Sequence, residues 1–463
     1  MPQAGTSRLR IGRRAARLGV AAAVLSGLAS GCGRGTDDTP TAPLNVIVVT
    51  LDALRADYLG TCGNPRGVSP ELDAFAGRST HFVNAVTAIA TTFPSHSTVF
   101  TGVYPRLHGV RWNGHRLRDQ WVTLAEVLSE HGYDTAAMVS YRSMVNRGGL
   151  GQGFATLSDS TQDDGPRIRD GAETTAMAVD WLGQRDPSSP FFLWLHLFEP
   201  HSPYPLTPYA AEHLGDYDGL FADGAGVLEI ASLRDPETQL PEDMAALRTL
   251  YAGGVLTCDL LFGRFLDSLE KMGLRENTLV LVAADHGEML GEHGDLGHGP
   301  LFWEDVLVVP LFIAHPEGLP GLAAERAGLV DVMATVLDCL DLPIPDASQG
   351  RSLLPAILGD VLPPRVYYAE ARVPSQVSHK DRDYAESESV AAWRLDSKLI
   401  LGDAGARVYD LAVDPGESQP QTEDGTSALA ELARIHRTGG HVEPDVELDD
   451  ETLEELRALG YVD

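Results

Sequence analysis

Lysine is nearly absent from this chain of 463 residues, which contains only Lys271, Lys380 and Lys398. Lysine and arginine together number 35 against 66 aspartates and glutamates, and the formal net charge is −31. A nucleic-acid-binding surface needs a basic stripe, so this function class is excluded. Anionic substrates are not excluded, because salt screens exposed charges beyond about 8 Å and a pocket keeps its own local charge.

Cysteine and long apolar runs are also scarce. Four cysteines in a chain of this length do not form a disulfide scaffold. Away from the N-terminus no apolar run is of the kind that crosses a bilayer, so a polytopic membrane protein is excluded. A composition of 43% hydrophobic and 22% charged residues is typical of globular proteins. Cys62, Cys258 and Cys339 leave two alternatives open, one disulfide or free thiols.

The N-terminus has the features of an export signal. Five arginines between residues 8 and 17 precede the apolar stretch 18–29, which is too short to span a membrane. The following Leu28-Ala29-Ser30-Gly31-Cys32 resembles a bacterial lipobox. We predict a signal peptide over 1–31, acylation of Cys32, a polar tether over 32–44, and an exported cell-envelope lipoprotein held to the membrane by its lipid anchor. The alternative is an ordinary secretory signal with an incidental cysteine.

From Asn45 onwards, apolar strands alternate with helices. Runs such as 45–51, 191–198 and 278–284 are apolar throughout, as parallel strands buried on both faces are. The pattern predicts an α/β fold with a largely parallel sheet and helices on both faces over 45–364. Short strands separated by turns predict a small antiparallel sheet subdomain over 365–420, and a helical tail follows over 421–463.

Residue types that bind metals follow three of the predicted strands. In open α/β sheets, ligands collect outside the carboxyl ends of the strands. A single aspartate there is usually a helix cap, but side chains from three strand ends favour a shared metal site. The residues concerned are Asp52, Glu199, His201, Asp285, His286 and His298, while the nearby His293 is interpreted either as a substrate contact or as part of the loop structure. His196, which lies inside a predicted strand, is interpreted as a core histidine.

The segment from Thr91 to His96 opens a short predicted helix. A hydroxyl at a helix start lies beside unpaired N–H groups and the positive end of the helix dipole. A metal ion bound to that oxygen would lower its pKa and make it a nucleophile. On these residues alone, a helix-capping role for Thr92 or Ser95 remains the alternative.

Several motifs resemble the sulfatase family of the alkaline phosphatase superfamily. They include the strand ending at Asp52, the segment from Pro94 to Pro105, Phe198-Glu199-Pro200-His201, and Asp285-His286-Gly287-Glu288 with Gly297-His298-Gly299. The likeness covers about residues 45–420. It implies a large α/β domain with a small C-terminal sheet, a divalent metal ion and an anionic ester substrate.

The chain departs from this family at its nucleophile. Sulfatases place a cysteine or serine two residues before the signature proline and oxidise it to formylglycine, whereas this chain has Thr92. The extra methyl group of threonine prevents that oxidation. The arginine of the family two residues after the proline is His96 here, and its usual lysines are missing.

A second branch of the superfamily resembles this chain at the same place. Nucleotide pyrophosphatase/phosphodiesterases have a threonine nucleophile, and their Thr-Phe-Pro-Asn-His pattern is similar to residues 92–96. The resemblance implies that Asn113 and the N–H of Phe93 hold the transferring group, with His96 also at the catalytic centre. The implied ligand sets are Asp52, Thr92, Asp285 and His286 for one ion, and His201, His298 and Glu199 for a second.

The sequence therefore predicts an exported hydrolase of sulfuric or phosphoric esters that forms a covalent Thr92 intermediate. Replacement of the formylglycine cysteine by threonine favours phosphoesters. One or two divalent ions are expected, and Ca, Mg, Mn and Zn all remain open. Two alternatives are a phosphoethanolamine-type transferase and a non-catalytic surface-binding homologue. Neither the organic part of the substrate nor the oligomeric state is indicated.

Overall fold

The computed structural model describes residues 43–146, 148–158, 168–233, 235–371, 389–402, 405–423 and 427–439. The predicted signal peptide, Cys32 and nearly all of the tether lie outside these residues. A helix expected near residues 451–459 of the tail also lies outside them.

Strands and helices alternate along the described chain, as predicted from Asn45 onwards, and several short strands that the sequence did not indicate lie between them. The strands are β1 Asn45–Leu51, β2 Thr80–Phe82, β3 Ala85–Val86, β4 Asp134–Val139, β5 Thr156–Leu157, β6 Phe191–Leu197, β7 Tyr204–Pro205, β8 Gly224–Ala225, β9 Thr278–Ala284, β10 Met289–Leu290, β11 Leu296–Gly297, β12 Val308–Val309, β13 Leu311–Ala314, β14 Gly321–Ala323, β15 Tyr367–Ala371, β16 Ser389–Arg394, β17 Ser397–Gly402, β18 Gly405–Asp410 and β19 Gln421–Glu423.

Helices lie between these strands, and the last helix follows β19. They are α1 Pro70–Ala76, α2 Thr92–Thr101, α3 Pro105–His108, α4 Leu124–Glu130, α5 Ser143–Asn146, α6 Gly171–Gln184, α7 Pro208–Leu214, α8 Val227–Ser232, α9 Pro241–Lys271, α10 Glu304–Leu307, α11 Val332–Cys339, α12 Leu354–Ile357 and α13 Ala428–Thr438. Short 3-10 turns connect several of them.

Eight strands form the large sheet, in the order β14-β2-β13-β9-β1-β6-β4-β5. All neighbouring pairs are parallel except those made by β13, which runs antiparallel to both β9 and β2. The central strands β1, β6 and β9 are buried along their whole length, as their uninterrupted apolar sequences require. The predicted α/β fold class is confirmed.

The long helix α9 is a core element. By length and composition alone it could cross a membrane, but 67% of its most apolar window is buried inside the protein. Its buried side chains, Leu247 and Phe262 among them, belong to the main hydrophobic core. Burial of this face, at about 25 cal/mol per Å² of apolar surface, is what stabilises the helix.

The three cysteines within the described residues are free thiols. Cys258 is buried in α9, Cys339 is partly buried, and Cys62 is exposed. Of the two alternatives left open by the sequence, the free thiols are therefore the ones observed.

The small C-terminal sheet has five antiparallel strands in the order β15-β16-β17-β18-β19. Strand β19 begins at Gln421, one residue after the predicted end of this subdomain, and pairs with β18. Helix α13 then packs its Ala430 and Ala433 against Ala392 and Leu399 of the same sheet. The described part of the predicted helical tail is therefore an extension of the small sheet.

A buried lysine links the small sheet to the large domain. The side chain of Lys398 on β17 is 0% exposed. Its ammonium group lies 2.9 Å from the Glu304 carboxylate and 2.6 Å from that of Glu417, and it donates a hydrogen bond to the carbonyl oxygen of Phe302. Glu304 and Phe302 lie in the segment that follows His298, so this cluster fixes a stretch of chain close to the predicted site.

We predict that Lys398→Met lowers the free energy of unfolding by about 3–5 kcal/mol, because it leaves two carboxylates buried without their cation. The same substitution at the exposed Lys271, in the last turn of α9, should change the free energy by less than about 0.5 kcal/mol. Urea unfolding of the two variants and the wild type measures the difference. Equal stabilities for the two variants would contradict the role assigned to Lys398.

Candidate metal-dependent active site

The carboxyl ends of three central strands meet at one edge of the large sheet. In the strand register, Leu51 of β1 pairs with Leu197 of β6 on one side and Ala284 of β9 on the other. The residues that follow these strands therefore emerge side by side. This places Asp52, Asp285 and His286 in one cluster, with potential ligand atoms all within 4.8 Å of one another.

Asp52 and Asp285 are both completely buried, yet three of their four carboxylate oxygens lack a hydrogen-bond donor among the described residues. Within the described part of the chain, neither oxygen of Asp52 accepts a hydrogen bond, and neither does Oδ2 of Asp285. Nε2 of His286 lies 3.6 Å from Asp52 Oδ1 and 3.5 Å from Asp285 Oδ2, and neither pair is hydrogen-bonded. Buried carboxylates without donors are costly unless a cation is bound between them.

Thr92 faces this cluster from the first turn of α2. Its hydroxyl oxygen lies 3.2 Å from Nε2 of His286. The Nδ1 atom of His286 lies 2.8 Å from the carbonyl oxygen of Gly287, which can only accept a hydrogen bond. The proton of the neutral ring therefore sits on Nδ1, and Nε2 presents its lone pair to the cluster. The structure thus brings together all four residues of the first predicted ligand set.

The ring of His96 bonds to the backbone of Thr92, one turn earlier in α2. Its Nδ1 atom donates to the carbonyl oxygen of Thr92 at 2.8 Å, and its Nε2 lies 3.0 Å from the hydroxyl of Thr50. Trp194 in turn donates to the Thr50 oxygen at 2.9 Å. Because both ring nitrogens bond to protein atoms, the geometry favours a positioning role for His96 over the predicted catalytic one.

Asn113 contacts the same helix start, but differently from the prediction. The backbone N–H of Phe93 donates to Oδ1 of Asn113 at 2.9 Å. This N–H was expected to hold the transferring group, and that assignment is wrong because the asparagine already occupies it. The Nδ2 atom of Asn113 is buried, and no described residue accepts a hydrogen bond from it. This amide group, oriented by Phe93, is the donor beside Thr92.

The predicted second set is brought together in part. His298 lies beside His286, with ring centroids 4.2 Å apart, and His201 lies 4.9 Å from His298. The carboxylate beside them is that of Glu288, whose Oε1 is 3.0 Å from Nδ1 of His298. Tyr204 donates to the other oxygen of Glu288 at 3.0 Å. Glu288 was visible in the Asp285–Glu288 motif but received no role from the sequence.

Glu199, predicted as a ligand of the second ion, is used elsewhere. Its Oε1 accepts a hydrogen bond of 2.6 Å from the backbone N–H of Gly171, the first residue of α6. A carboxylate is stabilised there by the positive end of the helix. The ligand assignment of Glu199 is therefore corrected to a helix-terminal contact, and Glu288 takes its place beside the two histidines.

His196 also differs from its prediction. It was interpreted as a core histidine, but neither ring nitrogen has a hydrogen-bond partner among the described residues. Its Nε2 lies 3.3 Å from Oδ2 of Asp52. Because β6 lies next to β1 in the sheet, a side chain within the strand reaches the cluster, which the linear sequence does not reveal.

A turn after β1 holds Asp52 and Asp285 in their relative positions. The N–H of Ala53 donates to Oδ1 of Asp285 at 3.1 Å, and Ala53 adopts a left-handed conformation with φ of 56°. Tyr251 of α9 donates to the carbonyl oxygen of Ala53 at 2.7 Å and accepts from the N–H of Arg55 at 2.8 Å. Tyr251 is thus a supporting residue that the sequence did not indicate.

Burial controls the electrostatics of the cluster. It raises the pKa of Asp52, with a further increase from the charges of Asp285 and Glu288. It raises the pKa of Asp285 to about 6, although His96 opposes the shift. For the histidines burial has the opposite sign and lowers the pKa of His286, His201 and His298 to about 3. The three imidazoles are therefore neutral at pH 7 and supply no positive charge to balance the carboxylates.

The cluster fits a divalent cation. Two carboxylates and one imidazole lone pair converge on one point, and the unpaired oxygens of Asp52 and Asp285 are the observation that calls for a positive charge there. Among the described residues, this is the only group of three or more histidine, cysteine, aspartate or glutamate side chains close enough to hold one ion. It corresponds to the first of the two predicted sites. His201, His298 and Glu288 do not form a second one.

A large, mostly parallel sheet with a cluster of potential metal ligands at its carboxyl edge, together with a small antiparallel sheet, is the architecture of the alkaline phosphatase type of ester hydrolase. The Sulfatase family model matches residues 44–342, and the chain therefore belongs to the sulfatase family. It is an ester-hydrolysing enzyme, as its membership of this family and its arylsulfatase relatives indicate.

Three known proteins illustrate the relationship. An arylsulfatase of Clostridium perfringens is 25% identical over 386 residues, which cover 67% of this chain and 77% of the relative. The phosphonate monoester hydrolase of Agrobacterium radiobacter superposes with a TM-score of 0.69 at 21% identity, covering 90% of this chain and 96% of the other. A protein solved in complex with its substrate D-glucosamine-2-N,6-O-disulfate has a TM-score of 0.68 at 20% identity, covering 90% and 98%.

We predict that divalent cations stabilise the protein through this cluster. At a free concentration one hundred times the dissociation constant, binding adds about 2.7 kcal/mol to the free energy of unfolding. Thermal unfolding with Mn²⁺, Zn²⁺, Ca²⁺ or chelator measures the shift in Tm. Asp52→Ala should abolish the shift. Asp259→Ala, which removes a buried carboxylate bonded to the start of α1, should destabilise the protein but keep the shift. Equal shifts in the wild type and Asp52→Ala would contradict the site.

Proposed function

We propose that the protein is a metal-dependent hydrolase of singly charged phosphoric or sulfuric esters, with Thr92 as its nucleophile. The observation that carries this proposal is the position of the Thr92 hydroxyl, at the start of α2 and 3.2 Å from a histidine of the carboxylate cluster. A bound divalent ion would lower the pKa of this hydroxyl and balance charge on the oxygens of the ester.

The reaction proceeds in two displacements at one atom. The Thr92 oxygen forms a bond to phosphorus or sulfur as the ester bond breaks, and the alcohol leaves with a proton. Water then attacks the same atom, the bond to Thr92 breaks, and the threonine regains its proton. Asn113, held by the N–H of Phe93, donates Nδ2–H to an oxygen of the transferring group.

The remaining residues hold this geometry. Ser95 donates to the carbonyl oxygen of Asp285 at 2.8 Å, so the helix that carries the nucleophile also fixes a ligand. Glu288 orients the ring of His298 beside His286. His201 lies against His298 and completes the wall of the pocket.

Charge favours a substrate with one negative charge. One divalent ion balances Asp52 and Asp285, and the neighbouring histidines are neutral at pH 7. Glu288 is acidic, so it does not create a surplus of positive charge at the site either. A phosphate monoester carries two negative charges and would have to be desolvated in a site without a surplus of positive charge. A phosphodiester, phosphonate monoester or sulfate ester carries one negative charge, so its desolvation costs less.

The chemistry of threonine favours phosphorus over sulfur. A threonine side chain cannot be oxidised to the aldehyde that lets sulfate leave by elimination, so the second step needs attack by water. The relatives include sulfatases by name, which keeps sulfate esters as the second candidate. Two carboxylates with one imidazole suit Mn²⁺ or Zn²⁺ better than Ca²⁺.

We also propose export and lipid anchoring through Cys32, on the N-terminal sequence alone. Mass spectrometry of the mature N-terminus would test this: an acylated cysteine at position 32 supports it, and an unmodified N-terminus elsewhere overturns it.

We predict that Thr92→Ala lowers kcat by more than about a thousandfold while the fold is retained, because the nucleophile is lost. Thr92→Ser keeps the hydroxyl and should retain measurable turnover. Thr98→Ala on the same helix removes a hydroxyl that bonds to Pro94 and His108, and it serves as the matched control. Acid quenching during turnover should trap the substituent on Thr92, which peptide mass spectrometry detects.

The substrate panel consists of an aryl sulfate, a phosphate monoester, a phosphodiester and a phosphonate monoester, each assayed with and without chelator. The highest kcat/KM is expected for the phosphodiester or phosphonate monoester, with loss of activity in chelator. The proposal would be contradicted if the Thr92→Ala variant retained the turnover of the wild type, or if the enzyme clearly preferred the phosphate monoester.

A further inference from the structure

One completely buried histidine lies at the ligand cluster without a role in the reaction described above. Neither ring nitrogen of His196 has a hydrogen-bond partner among the described residues. A buried imidazole without partners is costly, because its nitrogens have lost their contact with water. Its Nε2 atom lies 3.3 Å from Oδ2 of Asp52, a buried oxygen to which no described residue donates. Two buried polar atoms that each need a partner therefore lie next to each other.

The backbone holds His196 and Asp52 at this separation. In the register of the sheet, Thr50 of β1 pairs with His196 of β6, so the two side chains lie on the same face. Trp194, two residues before His196, donates to the Thr50 hydroxyl from that face. Asp52 lies two residues beyond Thr50, and its N–H donates to the carbonyl oxygen of Leu197 at 2.9 Å. Main-chain hydrogen bonds between two central strands therefore set the position of Asp52 relative to His196.

The proton of the His196 ring belongs on Nε2. Burial holds the pKa of His196 well below its usual value, so the ring is neutral and carries one N–H. If Nε2 carried the lone pair instead, two acceptors would face each other at 3.3 Å and repel. With the proton on Nε2, a small turn of the ring completes a charge-assisted hydrogen bond to Asp52, as contacts at catalytic sites tighten when their ligands bind.

We propose that His196 holds Asp52 by its Oδ2 atom, so that Asp52 presents one oxygen to the divalent ion and the site prefers Mn²⁺ over Ca²⁺. This inference rests on the metal site of the proposed function. The other oxygen, Oδ1, lies 3.6 Å from Nε2 of His286 and so faces the ligand cluster. Groups that hydrogen-bond to a ligating carboxylate orient it and strengthen metal binding. Ca²⁺ accepts one or both oxygens of a carboxylate in a flexible geometry, so it depends less on this restraint.

The test compares three variants of the full-length protein. His196→Phe removes the donor but keeps a ring among the neighbouring rings, which include His96 at 5.1 Å and Trp194 at 6.3 Å between centroids. His196→Gln is the conservative variant, because its amide N–H lies as many bonds from the backbone as Nε2 does. His81→Phe is the matched control, since His81 is also a buried strand histidine but lies on β2, separated from β6 by three strands.

Calorimetry with Mn²⁺ and with Ca²⁺ gives the dissociation constants without turnover. His196→Phe should weaken Mn²⁺ binding about ten- to a hundredfold and Ca²⁺ binding by less, and His196→Gln should recover most of the loss. His81→Phe should leave both constants unchanged. The role of His196 is refuted if His196→Phe binds Mn²⁺ as the wild type does, or if both ions lose affinity equally, because a purely structural residue does not change the ratio of the two constants.

A measurement on the wild type keeps the test valid if His196→Phe does not fold. Nitrogen NMR of histidine-labelled protein with Zn²⁺ should show His196 with its proton on Nε2, the signal being assigned by its absence from His196→Gln. A proton on Nδ1 would contradict the hydrogen bond to Asp52.

The outcomes separate this inference from the proposed function. If the wild type binds Mn²⁺ but hydrolyses no ester, the proposed function fails, and the binding data for His196→Phe still decide the role of His196. If the wild type hydrolyses esters but His196→Phe binds Mn²⁺ equally tightly, only the role of His196 fails. A wild type that binds no divalent ion would overturn both.

Discussion

Two buried carboxylates lie side by side with three of their four oxygens lacking a hydrogen-bond donor among the described residues, and this sets the main demand on the architecture around them. Asp52 and Asp285 would repel each other in a low-dielectric interior, and burial raises the pKa of both. The fold nevertheless holds them together, since the register of β1 and β9 aligns the residues before them. Such an arrangement is stable in charged form only when a cation completes it. Thr92 lies beside the same carboxylates. The groups that are energetically costly to bury are therefore also the groups that the proposed reaction uses.

The support for this cluster comes from elements far apart in the chain. Tyr251 of the long helix α9 fixes the turn after β1, and Ser95 of α2 bonds to the backbone of Asp285. Lys398 of the small sheet secures the segment that follows His298. Each contact joins a different structural element to the same edge of the sheet. The small sheet therefore supports the candidate active site by fixing the segment after His298, although none of the three clustered ligands comes from it. This contact is a physical reason for the small sheet and the large domain to occur together.

Much of the fold followed from the sequence because its signals are local. A strand buried on both faces must be apolar throughout, so β1, β6 and β9 were recognisable, and the residues after them had to meet at one edge. The roles of individual polar side chains did not follow in the same way. Glu199 and Glu288 both lie near a strand end, so the sequence does not distinguish their roles. In the structure Glu199 bonds to the start of α6, whereas Glu288 bonds to His298 and orients it. His196 lies within a strand, and only the pairing of β6 with β1 brings it to Asp52.

Three features could be read directly from the amino-acid sequence, namely the alternation of the main strands and helices, the kinds of ligand that follow the strands, and the threonine in place of the sulfatase cysteine. These are properties of neighbouring residues, set by hydrophobic periodicity and side-chain chemistry. Other features depend on packing between distant segments: the N–H of Phe93 is taken by Asn113, the carboxylate beside His298 is that of Glu288, and among the described residues one group of ligands converges where two were predicted. Hydrogen bonds form over about 3 Å, and distances of that size between residues far apart in the chain are fixed only when the whole core has packed.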